Sequence, residues 1–246
     1  MNNMYITGIS WITAGGTGTG KNNDPFDIKK GALPWIPGDG FPVNAGFRKG
    51  RLDRFSLLGL QTVTNAFSDA GLCEWDNKRD IGIVASTIYG CLVTDLEYYE
   101  TIIPENGILP DPILFTHTLS NIFIGYASML FGLTGPNYIL YERTSQGLSA
   151  IHSSMECILS GECDTMLAGM CDVEPPENAA ESETVMPGSI FIVIEKSPYP
   201  GKRHFGRLSL DSTGNILLDK AVITDMASCV RECAKNNNFK ALKENS

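Results

Sequence analysis

The stretch LYERTSQGLSAIHSS, residues 140–154, contains an abrupt change of pattern. The residues before the turn form a continuous apolar run, as in a buried strand. After Gly147 the apolar residues recur at helical spacing. Thr144, Ser145 and Gln146 fall in the turn between the two patterns. A strand that breaks sharply into a helix is typical of α/β folds and can present a nucleophile. The stretch is therefore either an active site or the remnant of one.

Strand and helix patterns alternate along the rest of the chain. Short apolar runs predict strands over residues 4–13, 80–87, 137–142, 164–170 and 189–196. Apolar residues at helical spacing predict helices over 53–70, 92–103, 119–133 and 145–160. Asp53 is placed to cap the first helix and Gly71 to end it, and residues 14–50 read as a long loop. This order predicts an α/β fold, a mostly parallel mixed sheet with covering helices.

Composition narrows the classes of partner. The chain has 246 residues, 43% of them apolar, and a formal charge of −9. This charge repels phosphate backbones and anionic membranes, so we expect neither nucleic acid nor a membrane as a partner. The start lacks a basic signal region, and no apolar run reaches the roughly 20 residues of a membrane span, so we expect a cytoplasmic location. Seven cysteines without a CxxC pair predict reduced buried thiols, with no metal or cofactor.

One glycine-rich stretch imitates a phosphate-binding loop. GGTGTGKN, residues 15–22, follows a predicted strand and has Gly15, Gly20 and Lys21 in register. Asn22, however, stands where a serine or threonine hydroxyl would hold magnesium, and the residues after it do not begin a helix. We therefore do not expect a nucleotide site.

Five segments, taken in order, carry a resemblance to a known family. They are LDRFSLLGLQTVTNAFSDAGL, IGIVAST, PILFTHTLSNIFIGYASMLFGLTGPN, SQGLSAIHSSMECILSGECDTMLAGM and PGSIFIVIEK. This ordered set resembles the N-terminal half of the β-ketoacyl synthases, which have the thiolase-like fold. The resemblance implies a ketosynthase-like N-terminal domain over residues 1–218, followed by a C-terminal helix and polar tail over 219–246.

The resemblance also implies where the nucleophile should be. In the family a cysteine lies three residues before the glycine of the turn, and Thr144 stands at that distance from Gly147. A threonine hydroxyl needs a strong base to attack a thioester. The family's histidines come from a C-terminal half that this sequence does not include. His117, His152 and His204 match none of them, and we expect structural or surface roles for all three, with His152 in the core.

These departures predict a non-catalytic ketosynthase-like subunit, similar to the chain-length-factor partners of type II polyketide and aryl polyene synthases. The expected partner is a full-length β-ketoacyl synthase, with an acyl carrier protein involved indirectly. Candidate residues for the acyl tunnel or for the interface are Phe115, His117, Asn121 and Ile139. We expect no catalytic residue, although Thr144 to Gly147 keep the form of the turn.

Two other functions stay open. Thr144 or Ser145 could accept an acyl group, which would make the chain an acyltransferase or a hydrolase. Alternatively, a basic cluster could dock an acidic carrier protein; it comprises Arg48, Lys49, Arg51 and Arg54. Four glutamates between two predicted strands read as a solvated loop rather than an acid–base pair; they are Glu174, Glu177, Glu181 and Glu183.

Overall fold

The computed structural model describes residues 4–42, 48–104, 106–144, 146–176, 185–198 and 201–241. The strands are β1 (Met4–Thr13), β2 (Gly16–Thr19), β3 (Ile81–Thr87), β4 (Asn137–Tyr141), β5 (Thr165–Asp172), β6 (Gly188–Glu195), β7 (Gly206–Leu210), β8 (Ile216–Leu218) and β9 (Ala221–Val222). The helices are α1 (Arg54–Ala70), α2 (Leu92–Ile102), α3 (Pro112–Thr116), α4 (Ile122–Phe131), α5 (Leu148–Ser160) and α6 (Met226–Ala241). Within the described ranges, these strands form one sheet.

The sheet has the order β4-β3-β5-β6-β1-β7-β8-β9, with β2 paired to β1. It is mixed, as predicted, but parallel pairs do not predominate. Strand β3 pairs in parallel with β4 and β5, whereas β5–β6, β1–β6 and the remaining pairs are antiparallel. Parallel neighbours need a crossover helix. Such helices lie between β3 and β4 and between β4 and β5, but the described part of the link from β5 to β6 contains none.

Two apolar layers cover the sheet. Helices α1 and α4 pack on one face, where the Phe67 and Phe131 rings stack at 4.6 Å. Helices α5 and α6 pack on the other face. The predicted caps of α1 are confirmed, because Asp53 accepts a hydrogen bond from the Ser56 amide and Gly71 ends the helix in the left-handed conformation. The sheet is therefore buried on both sides over its central strands, as the continuous apolar runs predict.

The predicted loop over residues 14–50 contains regular structure. Strand β2 forms a hairpin with β1, with Thr13 opposite Gly16 and Ser10 opposite Thr19, and a short 3-10 helix spans Lys49–Arg51. The glycine-rich stretch is therefore a hairpin and not a phosphate loop. The backbone amide of Lys21 donates to the Asp69 carboxylate, so an internal anion already takes this donor.

Both ends of the sheet differ from the predicted picture. Strand β4, expected to be buried, is half-exposed at an edge. At the other end, the C-terminal helix predicted after residue 218 is α6, and it belongs to the core of the domain, because it buries Met226, Cys229, Val230 and Cys233. Strand β9 pairs with β8 across the boundary placed at residue 218, and residues 242–246 lie outside the described part of the chain. None of the described helices has both the length and the apolar character needed to cross a membrane.

Candidate active-site elbow and cavity

The turn between β4 and α5 is the sharp elbow that the sequence predicts. Gly147 has a φ of +67° and precedes the first residue of α5. A Cβ atom at this position would lie 2.9 Å from the Met226 Cβ atom, so both the backbone conformation and the space require glycine. The amide of Met226 donates to the Gln146 carbonyl at 2.6 Å. Helix α6 therefore supports the elbow from the far end of the chain.

A carboxylate that we did not predict closes this elbow. Glu142 directly follows β4, and its Oε2 atom accepts a hydrogen bond from the Gly147 amide at 3.0 Å. Its Oε1 atom accepts from the Ser149 amide at 3.2 Å and also from the Ser149 hydroxyl. The sequence contains a partial signal for this cap, since an acidic residue precedes the first turn of a helix. The residue lies six positions before the first helical residue, Leu148, outside the usual capping spacing, so the pattern alone did not identify it.

Thr144 occupies the tip of the elbow. Its side chain is exposed, and its carbonyl accepts a hydrogen bond from the Gln146 amide at 2.8 Å. No residue in the described part of the chain forms a hydrogen bond with the Thr144 hydroxyl, so no base activates it there. Gln146 is also exposed. Ser145, the other candidate acyl acceptor, lies outside the described residues.

The three histidines lie apart from one another. His152, expected in the core, is half-exposed on α5, and its Nδ1 atom lies 3.5 Å from the Oε2 atom of Glu156. Its position on the outer face of the helix explains the difference, because the apolar stripe of α5 faces the sheet. His204 packs against the Tyr5 ring. His117 is buried, and its Nδ1 atom lies 3.0 Å from the Ile113 carbonyl oxygen.

A second buried carboxylate lies at the end of β5. The Oδ1 atom of Asp172 accepts hydrogen bonds from the Thr87 hydroxyl at 2.8 Å and from the amides of Ile88 and Tyr89. Its Oδ2 atom is buried without a hydrogen-bond partner among the described residues. Burial is the main cause that raises the pKa of Asp172 to about 6, with a smaller contribution from the nearby Glu142 charge. We did not single out Asp172 from the sequence, because one acidic residue after a strand is a weak signal.

A cavity of about 630 Å³ lies beside this edge of the sheet. Its wall comes from α1, α2, α3 and the segment after β5, and it includes Phe55, Val93, Thr94, Leu114, His117 and Val173. None of the described residues that line the cavity belongs to α4. Packing against α1 therefore accounts for the apolar composition of α4. The cavity is mainly apolar with charged residues such as Glu97 and Arg54 in its lining. Such a space suits an apolar ligand that carries polar groups.

Cys91 also lines the cavity, but its thiol is not an activated nucleophile. Burial, with a smaller contribution from the Asp95 carboxylate, raises the pKa of its thiol to about 11. The Ser120 hydroxyl contacts both the Cys91 sulfur, at 3.2 Å, and the Tyr141 hydroxyl, at 2.8 Å. The thiol is therefore held neutral within a chain of hydrogen bonds that joins the cavity to β4.

The remaining candidates lie at or near the same edge. Phe115 on α3 is 61% exposed, and its ring lies 5.5 Å from that of Tyr98. Asn121 is exposed at the start of α4, where its side chain makes no capping hydrogen bond. Ile139 is half-buried in the middle of β4, opposite Ala85, and packs against the core. Of the four candidates for the acyl tunnel or the interface, His117 lines the cavity, Phe115 and Asn121 are exposed, and Ile139 is half-buried.

One residue of the basic cluster, Arg54, forms an ion pair with a carboxylate. Arg54 makes two hydrogen bonds to the Glu174 carboxylate, at 2.8 and 3.1 Å, and Glu174 also accepts from the Leu33 amide. Glu174 is thus part of a structural ion pair, while the other three glutamates of its segment lie outside the described residues. In the part of the chain that the structure describes, no three acidic, histidine or cysteine side chains could hold a metal ion together.

The comparison with known families agrees with this geometry. The model of the β-ketoacyl synthase N-terminal domain matches residues 45–183, which is more than half of the chain. The chain belongs to the β-ketoacyl synthase family. The match includes the elbow, β3, β5 and the helices that line the cavity.

Individual relatives share the fold at low identity. The 3-oxoacyl-[acyl-carrier-protein] synthase 2 of Vibrio cholerae is 27% identical over 120 residues, which are 48% of this chain and 29% of that protein. The alignment with the ishigamide ketosynthase/chain length factor covers 84% of this chain and 62% of that chain, with 16% identity and a TM-score of 0.65. The alignment with a ketosynthase in complex with its chain length factor from Xenorhabdus doucetiae covers 80% of this chain and 80% of that chain. The identity is 15% and the TM-score is 0.59. This chain therefore spans less than a third of the curated relative's length.

Proposed function

We propose that this chain is a non-catalytic ketosynthase-like subunit that pairs with an active β-ketoacyl synthase and forms part of the acyl tunnel of the pair, in polyketide or fatty-acid-type chain elongation. The observation that carries the proposal is an exposed apolar face next to the edge strand β4. Six of its side chains lie on α2, directly after α2, on α3 and just before α4: Leu96, Tyr99, Ile103, Ile113, Phe115 and Leu119. We call this set the α2–α3 face.

The α2–α3 face and β4 together have the character of an interface. The hydrogen bond between Ser120 and Tyr141 connects the segment between α3 and α4 to β4, and Tyr141 itself is 66% exposed. Among the described residues β4 has a hydrogen-bonded neighbour, β3, on one side only. Apolar surface of this extent is normally covered by another protein, and a permanent interface buries on the order of 2,000 Å² or more.

The elbow and the cavity support the non-catalytic and tunnel-forming parts of the proposal. Thr144 stands where the family has its cysteine, and no described base contacts its hydroxyl. The cavity of about 630 Å³ borders the α2–α3 face, since Ile113 belongs to both. A chain entering from a partner would therefore reach the cavity through the interface. Two of the solved structures that share this fold are ketosynthase and chain length factor assemblies, which is consistent with pairing.

Co-expression with the β-ketoacyl synthase encoded nearest to this chain tests the pairing. We expect the two proteins to co-purify and to sediment as one species at micromolar concentration. Phe115→Asp and Leu119→Asp place charge on the α2–α3 face and should separate the pair. Val222→Asp is the matched control, because Val222 is 56% exposed on β9, at the opposite end of the sheet.

Circular dichroism of each variant should be unchanged, since all three side chains are largely exposed. Ile139→Asp is less informative, because Ile139 packs against the core and the substitution would also test folding. If the wild-type chain and every neighbouring synthase sediment separately, and the chain alone is a monomer, the pairing proposal is wrong.

A further inference from the structure

The Glu142 carboxylate sits where a reactive anion would otherwise be stabilised. We propose that Glu142 is a built-in anion that holds the N-terminus of α5 and keeps position 144 from supporting a reactive thiolate or alkoxide. The inference concerns the elbow alone and does not depend on whether the chain pairs with a synthase.

The hydrogen bonds give the first step of the argument. Gly147 is the N-cap of α5 and Ser149 lies in its first turn, and the amides at a helix start have no partner within the helix. Both donate to the Glu142 carboxylate, at 3.0 and 3.2 Å, and the Ser149 hydroxyl donates to it as well. The partial positive charge of the helix N-terminus is therefore already compensated by a full negative charge.

The second step is the effect on position 144. Cysteines become reactive when a helix N-terminus lowers the pKa of the thiol. Thr144 lies two residues after Glu142 and three before Gly147, within the same turn. An anion formed at position 144 would be repelled by the Glu142 charge and would find these amide donors occupied. The elbow thus keeps its shape while losing its capacity to stabilise a nucleophilic anion.

The third step is that the carboxylate is held in place. The Glu142 amide donates to the Thr87 carbonyl at 2.9 Å, which extends the pairing of β4 with β3 by one residue. On the other side of the turn, Gly147 lies against Met226, and the Met226 amide bonds to the Gln146 carbonyl. Both ends of the turn are fixed, so the carboxylate has a defined position relative to α5.

The pKa of a thiol introduced at position 144 tests the proposal. We would compare Thr144→Cys, Thr144→Cys with Glu142→Gln, and Thr144→Cys with Glu156→Gln, following iodoacetamide labelling of the peptide that contains residue 144 from pH 6 to 10. Glutamine removes the charge and keeps one acceptor oxygen for the two amides. Glu156 is an exposed carboxylate further along α5, so its removal is the matched control.

We expect Glu142→Gln to lower the thiol pKa by about one pH unit, which increases the thiolate fraction at pH 7 about tenfold. Glu156→Gln should leave it unchanged. The proposal is overturned if the thiol pKa is the same with and without Glu142, or if Thr144→Cys alone already gives a thiol pKa below 7.

A measurement on the wild-type chain needs no variant. Amide hydrogen exchange should be slow at Gly147 and Ser149, because their donors are bound by the carboxylate, whereas free first-turn amides exchange quickly. Rapid exchange at both amides would mean that Glu142 does not hold the helix start, and the proposal would be wrong even if the variants fail to fold.

Discussion

The Thr87 hydroxyl donates a hydrogen bond to the Asp172 carboxylate at 2.8 Å, which ties the end of β3 to the end of β5. The parallel strands β4, β3 and β5 all end on this side of the sheet, and the elbow follows the end of β4. Because Asp172 is buried and one of its oxygens has no partner among the described residues, its protonation state affects the stability of the whole edge.

Because of Asp172, we expect the free energy of unfolding to fall as the pH rises. Its pKa is about 6 in the folded chain, against about 3.9 for an unfolded aspartate. Between these values the folded chain binds more protons, so the free energy of unfolding falls with rising pH. The difference of about two pH units corresponds to roughly 3 kcal/mol. Urea unfolding of wild type and Asp172→Asn, from pH 4 to 7.5, should show wild type losing up to this amount relative to the variant. Parallel stability curves would contradict the prediction.

Thr144 should not become acylated. Incubation of the chain with an acyl thioester should give no mass increase at Thr144, since no described base contacts the hydroxyl and Glu142 disfavours an alkoxide. Thr144→Ala should therefore behave like wild type in mass spectrometry. An acyl adduct on wild type that disappears in Thr144→Ala would instead support the acyltransferase or hydrolase alternative.

The thiols should differ in reactivity. Cys73 is partly exposed, whereas the other six are buried; these are Cys91, Cys157, Cys163, Cys171, Cys229 and Cys233. Burial raises the thiol pKa of Cys91 and Cys163 to about 11. At pH 7.5 we expect a disulfide reagent to modify Cys73 first and the others only after unfolding. Cys73→Ser should abolish the early phase, and rapid reaction of several thiols in the native chain would contradict the burial.

The cavity should limit product length if the proposed function is correct. Val93→Phe places a larger side chain in the cavity wall. In the complex with an active synthase we expect shorter products, detected by mass spectrometry, with complex formation intact. Val222→Phe, at the far edge of the sheet, is the control and should leave the product distribution unchanged. Identical products from both variants would exclude a role of this cavity in chain length.

Local patterns predicted much of the fold. Met4–Thr13 and the helix from Arg54 to Ala70 have the predicted bounds, because a continuous apolar run and two strong capping residues define them. Pairing between strands was less accessible. Direction depends on the path of the chain after β5, and an apolar run has the same appearance in parallel and antiparallel neighbours.

The elbow was predicted only in part. Gly147 and the strand-to-helix break are visible in the sequence, since both are local. The closing role of Glu142 depends on a turn that brings residues 142 and 149 together, and the buried state of Asp172 depends on its neighbours β3 and β6. Likewise, the polar composition of α6 hid the few side chains that enter the core. Such contacts arise from tertiary structure and leave little periodic signal.

Strand β4 has a consequence for the chain on its own. Its sequence, NYILY, contains no lysine, proline or charged residue, which are the devices that keep sheet edges from associating. The unpaired backbone groups on its open side are therefore a template for any extended chain, including a second copy of this one. Produced without a partner, the protein should become more prone to aggregation as its concentration rises, and a lysine in β4 should delay this.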